Sequence, residues 1–415
     1  MECFDFDMNA YKLHIVKTNK FKTITVDVCF RRKVSKDEIT IRNLLKEMMI
    51  DANSIYPDEK SIVIETENLY DLKLLASNYR VGNYSILSFK SRFLNEKYTE
   101  DGMNKESINF LMDIIFNPLF GSNLKKCKNK IKKSINSLAD NKIKFALYKL
   151  LENTKNMAYS FNEYGYIKDL NIINNDMLKK YYDSVIKDDL IDIFVVGDVS
   201  PTEIKKIIKD KFKVSTFHKN DLSVLVPELD KNKSIFVDCI KDNVNQTQLT
   251  LLCSLHGLTD YERKYVLPIY AELLGGSSNS ILFDTVREKN SYAYYINAIP
   301  KPYDNIMMIY AGIDIENEKE VYKLINKSLK DIMHGKFETS KFENAKNTYI
   351  AAIMASLDSP VGIINNAYAK ILVNAKDVSS KIKEIKDVKK EDIINISKKV
   401  YLYSKFILEA SNEKN

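Results

Sequence analysis

Hydrophobic residues recur along this chain at the spacing of strands and then at the spacing of helices. Lys12 to Lys17 and Thr23 to Arg31 alternate apolar with polar residues, which predicts two paired strands. Ser35 to Glu38 has the form of a capping box, so a helix is expected to begin there. That helix would carry one apolar face, made of Ile41, Leu44, Leu45, Met48 and Met49.

The alternation of elements continues to the end of the first half. An amphipathic helix is predicted before Pro118, and a long basic helix is predicted over about Leu124 to Asn153. A helix that begins at Asn175 leads into an apolar strand, Ile191 to Val196, which ends at Gly197. The first half therefore reads as strands in pairs separated by helices.

The second half repeats this order. Strands are predicted at about Ser234 to Ile240 and Gln246 to Leu255, and Thr259 to Glu262 is again a capping box. Glu391 opens a helix and strand that lie 216 positions after the matching pair at Asn175. Such self-similarity indicates two copies of one structural plan.

This repeat predicts an α+β protein of two homologous domains, each a largely antiparallel sheet covered by helices. The length of 415 residues suits two domains better than one core. We place the domains at residues 1–215 and 234–415, because Ser215 to Lys233 is polar, contains Pro227 and has no strong periodicity.

Composition excludes several classes of protein. The 63 basic and 56 acidic residues are interspersed and leave a net charge of only +7, which does not indicate a nucleic-acid binder. The five cysteines form no Cys-x-x-Cys pair, so neither a disulfide framework nor a zinc knuckle is expected. The N-terminus has no apolar signal segment, and no apolar run approaches the ~18 residues of a membrane span. We expect a cytoplasmic protein that binds neither nucleic acid nor membrane.

One stretch carries a specific resemblance. Leu274 to Ala298, LGGSSNSILFDTVREKNSYAYYINA, resembles the C-terminal-domain signature of insulinase-like peptidases, the family of pitrilysin and mitochondrial processing peptidase. Phe110 to Phe120 and Asp169 to Val199 look like two further segments of that family. The resemblance implies the family's two-domain fold in its half-size bacterial form. Within it, the chain is most similar to non-catalytic subunits labelled for an association with 5-aminopentanol modification of elongation factor P.

Active members of this family hold zinc on a His-x-x-Glu-His helix, and this chain lacks that motif. Its four histidines are His14, His218, His256 and His334, and no two are close in sequence. Placing the motif on the first predicted helix puts Asn43 and Glu47 in the histidine positions and Lys46 in the glutamate position. A third ligand, Glu, would come from the later long helix, but residues 125–133 contain no acid. We therefore expect no metal or other cofactor in this chain, and no activity from it alone.

The retained half of the family's site is an Arg and a Tyr that stabilise the oxyanion formed during peptide hydrolysis. By resemblance, Arg287 matches the Arg and Tyr294 matches the Tyr, with Tyr292 and Tyr295 as alternatives in register. A purely structural interpretation also exists, in which Arg287 interacts with a helix C-terminus and the tyrosines are ordinary strand residues.

Together these features predict a non-catalytic subunit of a heterodimeric peptidase. The expected partner is a zinc-bearing insulinase-like paralogue, and the expected substrate is a peptide or an unfolded segment. The alternative is a structural scaffold with no catalytic contribution, while a self-sufficient zinc peptidase is disfavoured by the missing ligands. The sequence leaves substrate identity open, as well as homodimer versus heterodimer.

Other candidate sites are weaker. Gly275 to Ser278 precedes a helix and could hold an anion, but a tight structural turn is the favoured interpretation. Cys127 among lysines could be a nucleophile with a lowered pKa, but no partner residue is identifiable. His14 and His256 lie at strand positions and are expected to be structural.

Overall fold

The structure is a computed structural model, and it describes residues 1–121, 123–212, 223–231, 235–242 and 244–411. Most of the predicted boundary at 215–233, together with His218, lies outside the described residues. The strands are β1 (Glu2–Asp7), β2 (Lys12–Lys17), β3 (Thr23–Lys33), β4 (Lys73–Val81), β5 (Tyr84–Leu94), β6 (Leu190–Gly197), β7 (Phe236–Asp242), β8 (Thr247–Leu255), β9 (Ala293–Lys301), β10 (Ile306–Ile313) and β11 (Val400–Ala410).

The α-helices lie in the segments between these strands. They are α1 (Lys36–Asp51), α2 (Glu59–Asn68), α3 (Met103–Phe116), α4 (Leu124–Ser137), α5 (Lys142–Glu152), α6 (Ile167–Ile172), α7 (Asn175–Asp188), α8 (Pro201–Lys211), α9 (Leu267–Ala271), α10 (Glu318–Met333), α11 (Thr339–Ser356), α12 (Pro360–Val373), α13 (Val378–Asp387) and α14 (Lys390–Ser397). The second half also contains three π-helical segments, at Glu262–Val266, Glu272–Gly276 and Phe283–Glu288.

The strands form two sheets with matching orders. The first has the order β1-β2-β6-β3-β5-β4, and the second has the order β7-β11-β8-β10-β9. In each sheet one neighbouring pair is parallel, β2 with β6 and β7 with β11, and the other pairs are antiparallel. This confirms the predicted α+β class with largely antiparallel sheets. Strand β1, which the sequence did not predict, is the one addition to the first sheet.

Each sheet buries one face under amphipathic helices. The predicted apolar face of α1 is buried as expected, and it joins a core that includes strands β2, β3, β5 and β6. The second sheet builds an equivalent core with the helices that follow β8 and β10. Burial of these apolar faces is what holds each sheet to its helices.

Two predictions about helix ends differ from the structure. Ser35 precedes α1 but its side chain makes no capping bond; the Glu38 carboxylate instead accepts from Arg32 at 3.0 Å and from Tyr181 at 3.1 Å. The long basic helix is two helices, α4 and α5, because the Asn141 side chain caps a new start by accepting from the Lys144 N–H. The second capping box is confirmed, since Thr259 and Glu262 bond to each other reciprocally.

The chain divides into two compact units, and each unit takes segments from both halves of the sequence. The first comprises Met1–Asn136, Asn162–Ser223 and Ser356–Ala369, and the second comprises Ser137–Phe161, Val224–Ala355 and Lys370–Asn415. The predicted domains at residues 1–215 and 234–415 rest on the sequence repeat, whereas the compact units rest on contacts in space. The domain boundaries therefore stay a prediction. The units exchange one helical segment each: α5 packs on β8 and β11, and most of α12 belongs to the first unit.

Candidate functional site

The positions that match the family's zinc motif lie on α1 and carry side chains already engaged within the protein. The Asn43 side-chain amide donates to the carbonyl oxygens of Ile39 at 3.0 Å and Glu163 at 2.8 Å. The Lys46 ammonium lies 2.9 Å from a carboxylate oxygen of Glu47. An amide whose nitrogen is used in this way ties two backbone segments together, which is a structural role.

Two lysines of α4 lie beside the C-terminal end of α1. Lys126 and Lys130 lie 2.7 Å and 2.8 Å from the same carboxylate oxygen of the buried Asp51. Burial alone would raise the pKa of Asp51, but the hydrogen bonds and charges of the two lysines outweigh it and hold that pKa below its ordinary value. Asp51 is therefore ionised and paired with these two lysines.

Cys127 on the same helix is not an activated nucleophile. Its thiol is fully buried, and burial, with a contribution from Asp51, raises its pKa to about 12. The thiolate is the reactive form of cysteine, so a raised pKa removes reactivity near neutral pH. The hypothesis of a lowered pKa among the lysines is wrong, because desolvation outweighs the neighbouring cations.

These residues do not fit a zinc ion. Zinc requires deprotonated Cys, His or carboxylate ligands converging on one point. Across the described ranges of the chain there is no group of three or more His, Cys, Asp or Glu side chains that could hold a metal. At the motif positions stand an engaged amide, an ammonium and a carboxylate paired with that ammonium. A cation at Lys46 would repel a dication directly.

The described histidines each have local partners. His14 Nδ1 lies 2.6 Å from Asp5 Oδ1, and its ring stacks on Phe194. His256 Nε2 lies 2.9 Å from Ser254 Oγ, and His334 Nδ1 lies 2.7 Å from a backbone carbonyl. These contacts are those of structural histidines, as the sequence predicted for His14 and His256.

Arg287 lies on the π-helical segment Phe283–Glu288, in the second unit. Its side chain is exposed, with the guanidinium carbon 4.7 Å from the centre of the Phe283 ring. Three residues after the segment ends, Ser291 adopts a left-handed conformation, at φ 54°. The carbonyls of Val286 and Arg287 then accept from the N–H groups of Tyr292 and Ser291. Backbone groups thus cap this helical end, which leaves the Arg287 side chain available for another role.

Of the three candidate tyrosines, the structure brings Tyr294 together with Arg287. Tyr294 is 61% exposed on β9, and its hydroxyl donates to Asp314 Oδ1 at 3.4 Å. Tyr292 packs against the hydrophobic core of its unit. The Tyr295 hydroxyl bonds to Gln248, and burial raises its pKa to about 12. Tyr292 and Tyr295 are thus occupied by packing and by an internal bond.

Arg287 and Tyr294 line one open pocket of about 420 Å³. Its other lining residues are Glu288, Ser291, Ala293 and Asp314. Sequence reasoning missed these four residues. Glu288 could have been noticed as the neighbour of Arg287, but Asp314 follows β10 and reaches the pocket only because β10 pairs with β9. The pocket combines hydrogen-bond donors with two carboxylates.

The double glycine before this segment has a structural role. A Cβ at Gly275 would lie 2.9 Å from the backbone nitrogen of Ala298 on β9, so the helix end and the strand touch backbone to backbone. This close approach explains why position 275 is a glycine. It favours the interpretation of Gly275 to Ser278 as a structural turn over the interpretation as an anion site. None of the helices in the described residues is long and apolar enough to span a membrane.

Comparison with known proteins identifies the matching family. Residues 173–349 match the family model described as "Peptidase M16 inactive domain". The chain is 25% identical over 410 residues to "Probable inactive metalloprotease YmfF" of Bacillus subtilis, covering 96% of this chain and 95% of that protein. It is also 25% identical over 305 residues to "Uncharacterized zinc protease YmxG" of the same organism, covering 71% of this chain and 72% of that protein.

Solved structures show the same fold. A conserved protein from Enterococcus faecalis superposes with a TM-score of 0.91 at 23% identity, with 100% of each chain covered. A peptidase M16 inactive domain from Pseudomonas fluorescens superposes with a TM-score of 0.81 at 15% identity, covering 100% of this chain and 99% of that one. The chain thus has the fold of M16-like peptidase structures, it is similar in sequence to a probable inactive metalloprotease, and its residues 173–349 match the model of the peptidase M16 inactive domain.

Proposed function

We propose that this chain is a non-catalytic subunit that pairs with a zinc-bearing M16-like peptidase and completes its active site. The observation that carries the proposal is the open pocket in which Arg287 and Tyr294 meet. The side chains at Asn43, Lys46 and Glu47 support this division of labour, because an amide and an ammonium at two of the three motif positions would leave zinc binding to a partner. The M16-like homologue named as a zinc protease supports the existence of such relatives.

The proposed chemistry assigns one task to each chain. The partner supplies the activated water and its general base. In this chain, the Arg287 guanidinium and the Tyr294 hydroxyl hold the carbonyl oxygen of the scissile peptide bond, where negative charge develops. Arg287 suits this task because its donors are planar and remain charged at any physiological pH. Tyr294 adds a neutral donor once its hydroxyl turns from Asp314 to the substrate.

Strand addition is a natural way for a peptide to reach this pocket. β9, which carries Tyr294, is the last strand in the order of its sheet. An edge strand presents unpaired backbone groups that can bond an extended peptide, and the backbone contacts tolerate many sequences. A peptide or an unfolded segment is therefore the proposed substrate class. We place the chain in the bacterial group labelled for 5-aminopentanol modification of elongation factor P, a label that leaves the substrate open.

The experiment is peptide cleavage by a zinc-bearing M16-like peptidase from the same genome, with and without this chain. We expect cleavage to require this chain, and to fall by about 10²–10³-fold with Arg287→Ala, the loss typical of one oxyanion donor. Lys289→Ala is the matched control, since Lys289 is an exposed cation on the same turn whose partner is Asp284 at 3.1 Å.

The outcomes separate the proposal from its alternative. Cleavage that requires the chain but ignores Arg287→Ala would identify a structural scaffold. Cleavage that neither requires the chain nor responds to it would reject the partnership. Thermal unfolding of each variant shows whether a loss of cleavage has a trivial cause in folding.

A further inference from the structure

The second sheet ends on β7, whose outer edge differs from the corresponding edge of the first sheet. The two sheets have matching orders, and β7 occupies the place of β2, beside the strand with which it pairs in parallel. The outer side of β2 is covered by β1, which pairs with it antiparallel. Among the described residues, no strand pairs with the outer side of β7. The second sheet therefore has an open edge where the first sheet carries one more strand.

The side chains at the start of β7 are apolar and exposed. Phe236 is 51% exposed and Val237 is 54% exposed, and as neighbours in a strand they lie on opposite faces. Edge strands are normally protected from further pairing by charged side chains, by proline or by a covering element. β7 contains no proline, and its Lys241 and Asp242 are already in ion pairs within the chain, at 3.0 Å and 2.9 Å. The edge is thus suited to pairing with another strand.

The backbone of β7 leaves every second residue facing outward. The Asp242 carbonyl accepts from the N–H of Ser411, which follows β11, so Asp242 and every second residue before it face that strand. The Cys239 N–H instead donates to the carboxylate of the preceding residue at 2.9 Å. Val237, Cys239 and Lys241 therefore point their N–H and C=O groups away from β11, where a further strand can bond them.

We propose that two copies of this chain pair through β7, antiparallel and about a two-fold axis at Cys239. The antiparallel direction is that of β1 on β2 at the equivalent edge of the first sheet. A two-fold pairing uses the same surface on both copies, which is the commonest arrangement in protein oligomers. The inference goes beyond the proposed function and does not depend on it, because the pocket with Tyr294 lies on β9 at the opposite edge of the sheet.

The sequence of β7 favours pairing with itself in this register. With Cys239 opposite its counterpart in the second copy, all seven residues of the strand are paired. Asp238 then lies opposite Ile240 of the second copy. Lys241 lies opposite Val237, which its aliphatic stem can cover. Two-fold axes at positions 238, 240, 241 or 242 would place two aspartates or two lysines opposite each other, and axes at 236 or 237 would pair fewer residues of the strand.

The first test is the mass of the isolated chain in solution, measured by sedimentation velocity over a range of concentrations. We expect a dimer that dissociates on dilution, because one pair of strands buries less surface than a permanent interface does. Val237→Lys should raise the dissociation constant by about tenfold or more, since it places a lysine opposite Lys241 twice in each dimer. Leu75→Lys is the matched control and should leave the dimer unchanged, because Leu75 is 61% exposed on β4, an edge strand of the first sheet.

The second test uses a disulfide to determine the register. Opposite Cα atoms of a hydrogen-bonded antiparallel pair lie about 5.5 Å apart, a distance that a disulfide can span. Diamide takes two electrons and two protons from the two Cys239 thiols, and non-reducing electrophoresis detects the covalent dimer. Partial burial and the Glu409 carboxylate raise the pKa of Cys239, so the reaction is run at alkaline pH. Cys239→Ser should abolish the covalent dimer, whereas Cys3→Ser, which removes the other exposed cysteine, should keep it.

Amide hydrogen exchange distinguishes β7 from any other interface between copies. In the proposed dimer the outward N–H groups of β7 are bonded between copies, so β7 should exchange more slowly at high protein concentration than at low concentration. Three results would each overturn the inference. They are a chain that stays monomeric at high concentration, a dimer that Val237→Lys and Leu75→Lys affect equally, and exchange of β7 that does not depend on concentration.

Discussion

The most deeply buried charge on α1 is Arg42, one position before the degenerate zinc motif. Its side chain is 1% exposed, and its Nη2 donates to Asp189 Oδ2 at 2.8 Å and to the Phe30 carbonyl at 2.7 Å. Burial alone would lower the pKa of Arg42, but the charge of Asp189 outweighs it and the pKa is raised. Arg42 thereby fastens α1 to β3 and to the start of β6.

Removing one partner of this pair should be costly. We expect Arg42→Ala to lower the free energy of unfolding by about 1.5–3 kcal/mol, since the buried Asp189 keeps its ion pair with Arg32 but loses the hydrogen bond from Arg42, and the Phe30 carbonyl loses its guanidinium donor. Urea unfolding followed by circular dichroism measures the change. Arg92→Ala, at an exposed position on β5, should stay within about 0.5 kcal/mol of the parent. Equal effects of the two substitutions would contradict the role assigned to Arg42.

His14 is a second residue whose charge is tied to the fold. Burial alone would lower its pKa, but hydrogen bonds and charges of Asp192 and Asp5 outweigh burial, so the pKa is raised above 6.5. Because the folded pKa lies above the unfolded one, protonated His14 stabilises the fold fully below about pH 6.5. That stabilisation is lost as the pH rises through the folded pKa.

The prediction is a pH dependence that one substitution removes. Between pH 6 and a pH above the raised pKa of His14, the parent should lose more free energy of unfolding than His14→Gln does. Gln keeps hydrogen-bonding capacity but cannot carry a proton charge. Urea unfolding at both pH values measures the difference, and parallel changes in both proteins would refute the assignment.

At the scale of elements, the contact between Gly275 and β9 positions the candidate site. A Cβ at Gly275 would press on the Ala298 backbone nitrogen, whereas the atoms nearest to a Cβ at Gly276 belong to the carboxylate group of Glu272. A carboxylate at the end of a flexible side chain can move away, and a strand backbone cannot. The two neighbouring glycines therefore differ sharply in their tolerance of a methyl group.

Alanine substitutions test this difference directly. Gly275→Ala should destabilise the protein by about 1–3 kcal/mol, the usual cost of overpacking, because β9 must shift. Gly276→Ala should cost clearly less. Thermal unfolding of both variants provides the measurement. Since β9 carries Tyr294, Gly275→Ala is also expected to weaken cleavage by the complex, and equal melting temperatures for the two variants would disprove the packing argument.

At the scale of the whole molecule, each compact unit depends on a helix from the other half of the sequence. In the second unit, Ala146 and Leu150 of α5 are buried in a cluster with Leu252 and Phe406 of the sheet. In the first unit, Tyr368 of α12 packs on Phe194, with ring centres 5.1 Å apart. These contacts bury the sheet faces that lie away from the main cores.

Separating the two halves of the sequence should therefore expose the sheet faces that α5 and α12 cover. We expect fragments 1–215 and 234–415, each expressed alone, to lack cooperative thermal unfolding, because each misses the exchanged helix that covers its sheet. Mixing the two fragments should restore cooperative unfolding, observed by circular dichroism. A fragment that unfolds alone at the melting temperature of the full chain would contradict this dependence.

Local patterns in the sequence were sufficient for much of the fold. The period of apolar residues identified α1 and its buried face, because burial of one stripe on a helix needs only neighbours in sequence. The matching strand orders of the two sheets follow from a repeat that is visible in the chain itself. The lack of a zinc motif could also be seen in the sequence, because the two histidines and the glutamate of the family's motif lie within five consecutive residues.

Only the tertiary structure decided which distant residues share a surface. Asp314 joins Tyr294 in the pocket through strand pairing, and Lys126 and Lys130 reach Asp51 because α4 lies beside the end of α1. The sequence left three tyrosines open beside Arg287, and the left-handed turn at Ser291 with the start of β9 brought one of them to the pocket. Local periodicity records which side of an element is apolar, whereas contacts between elements arise only when the whole chain packs.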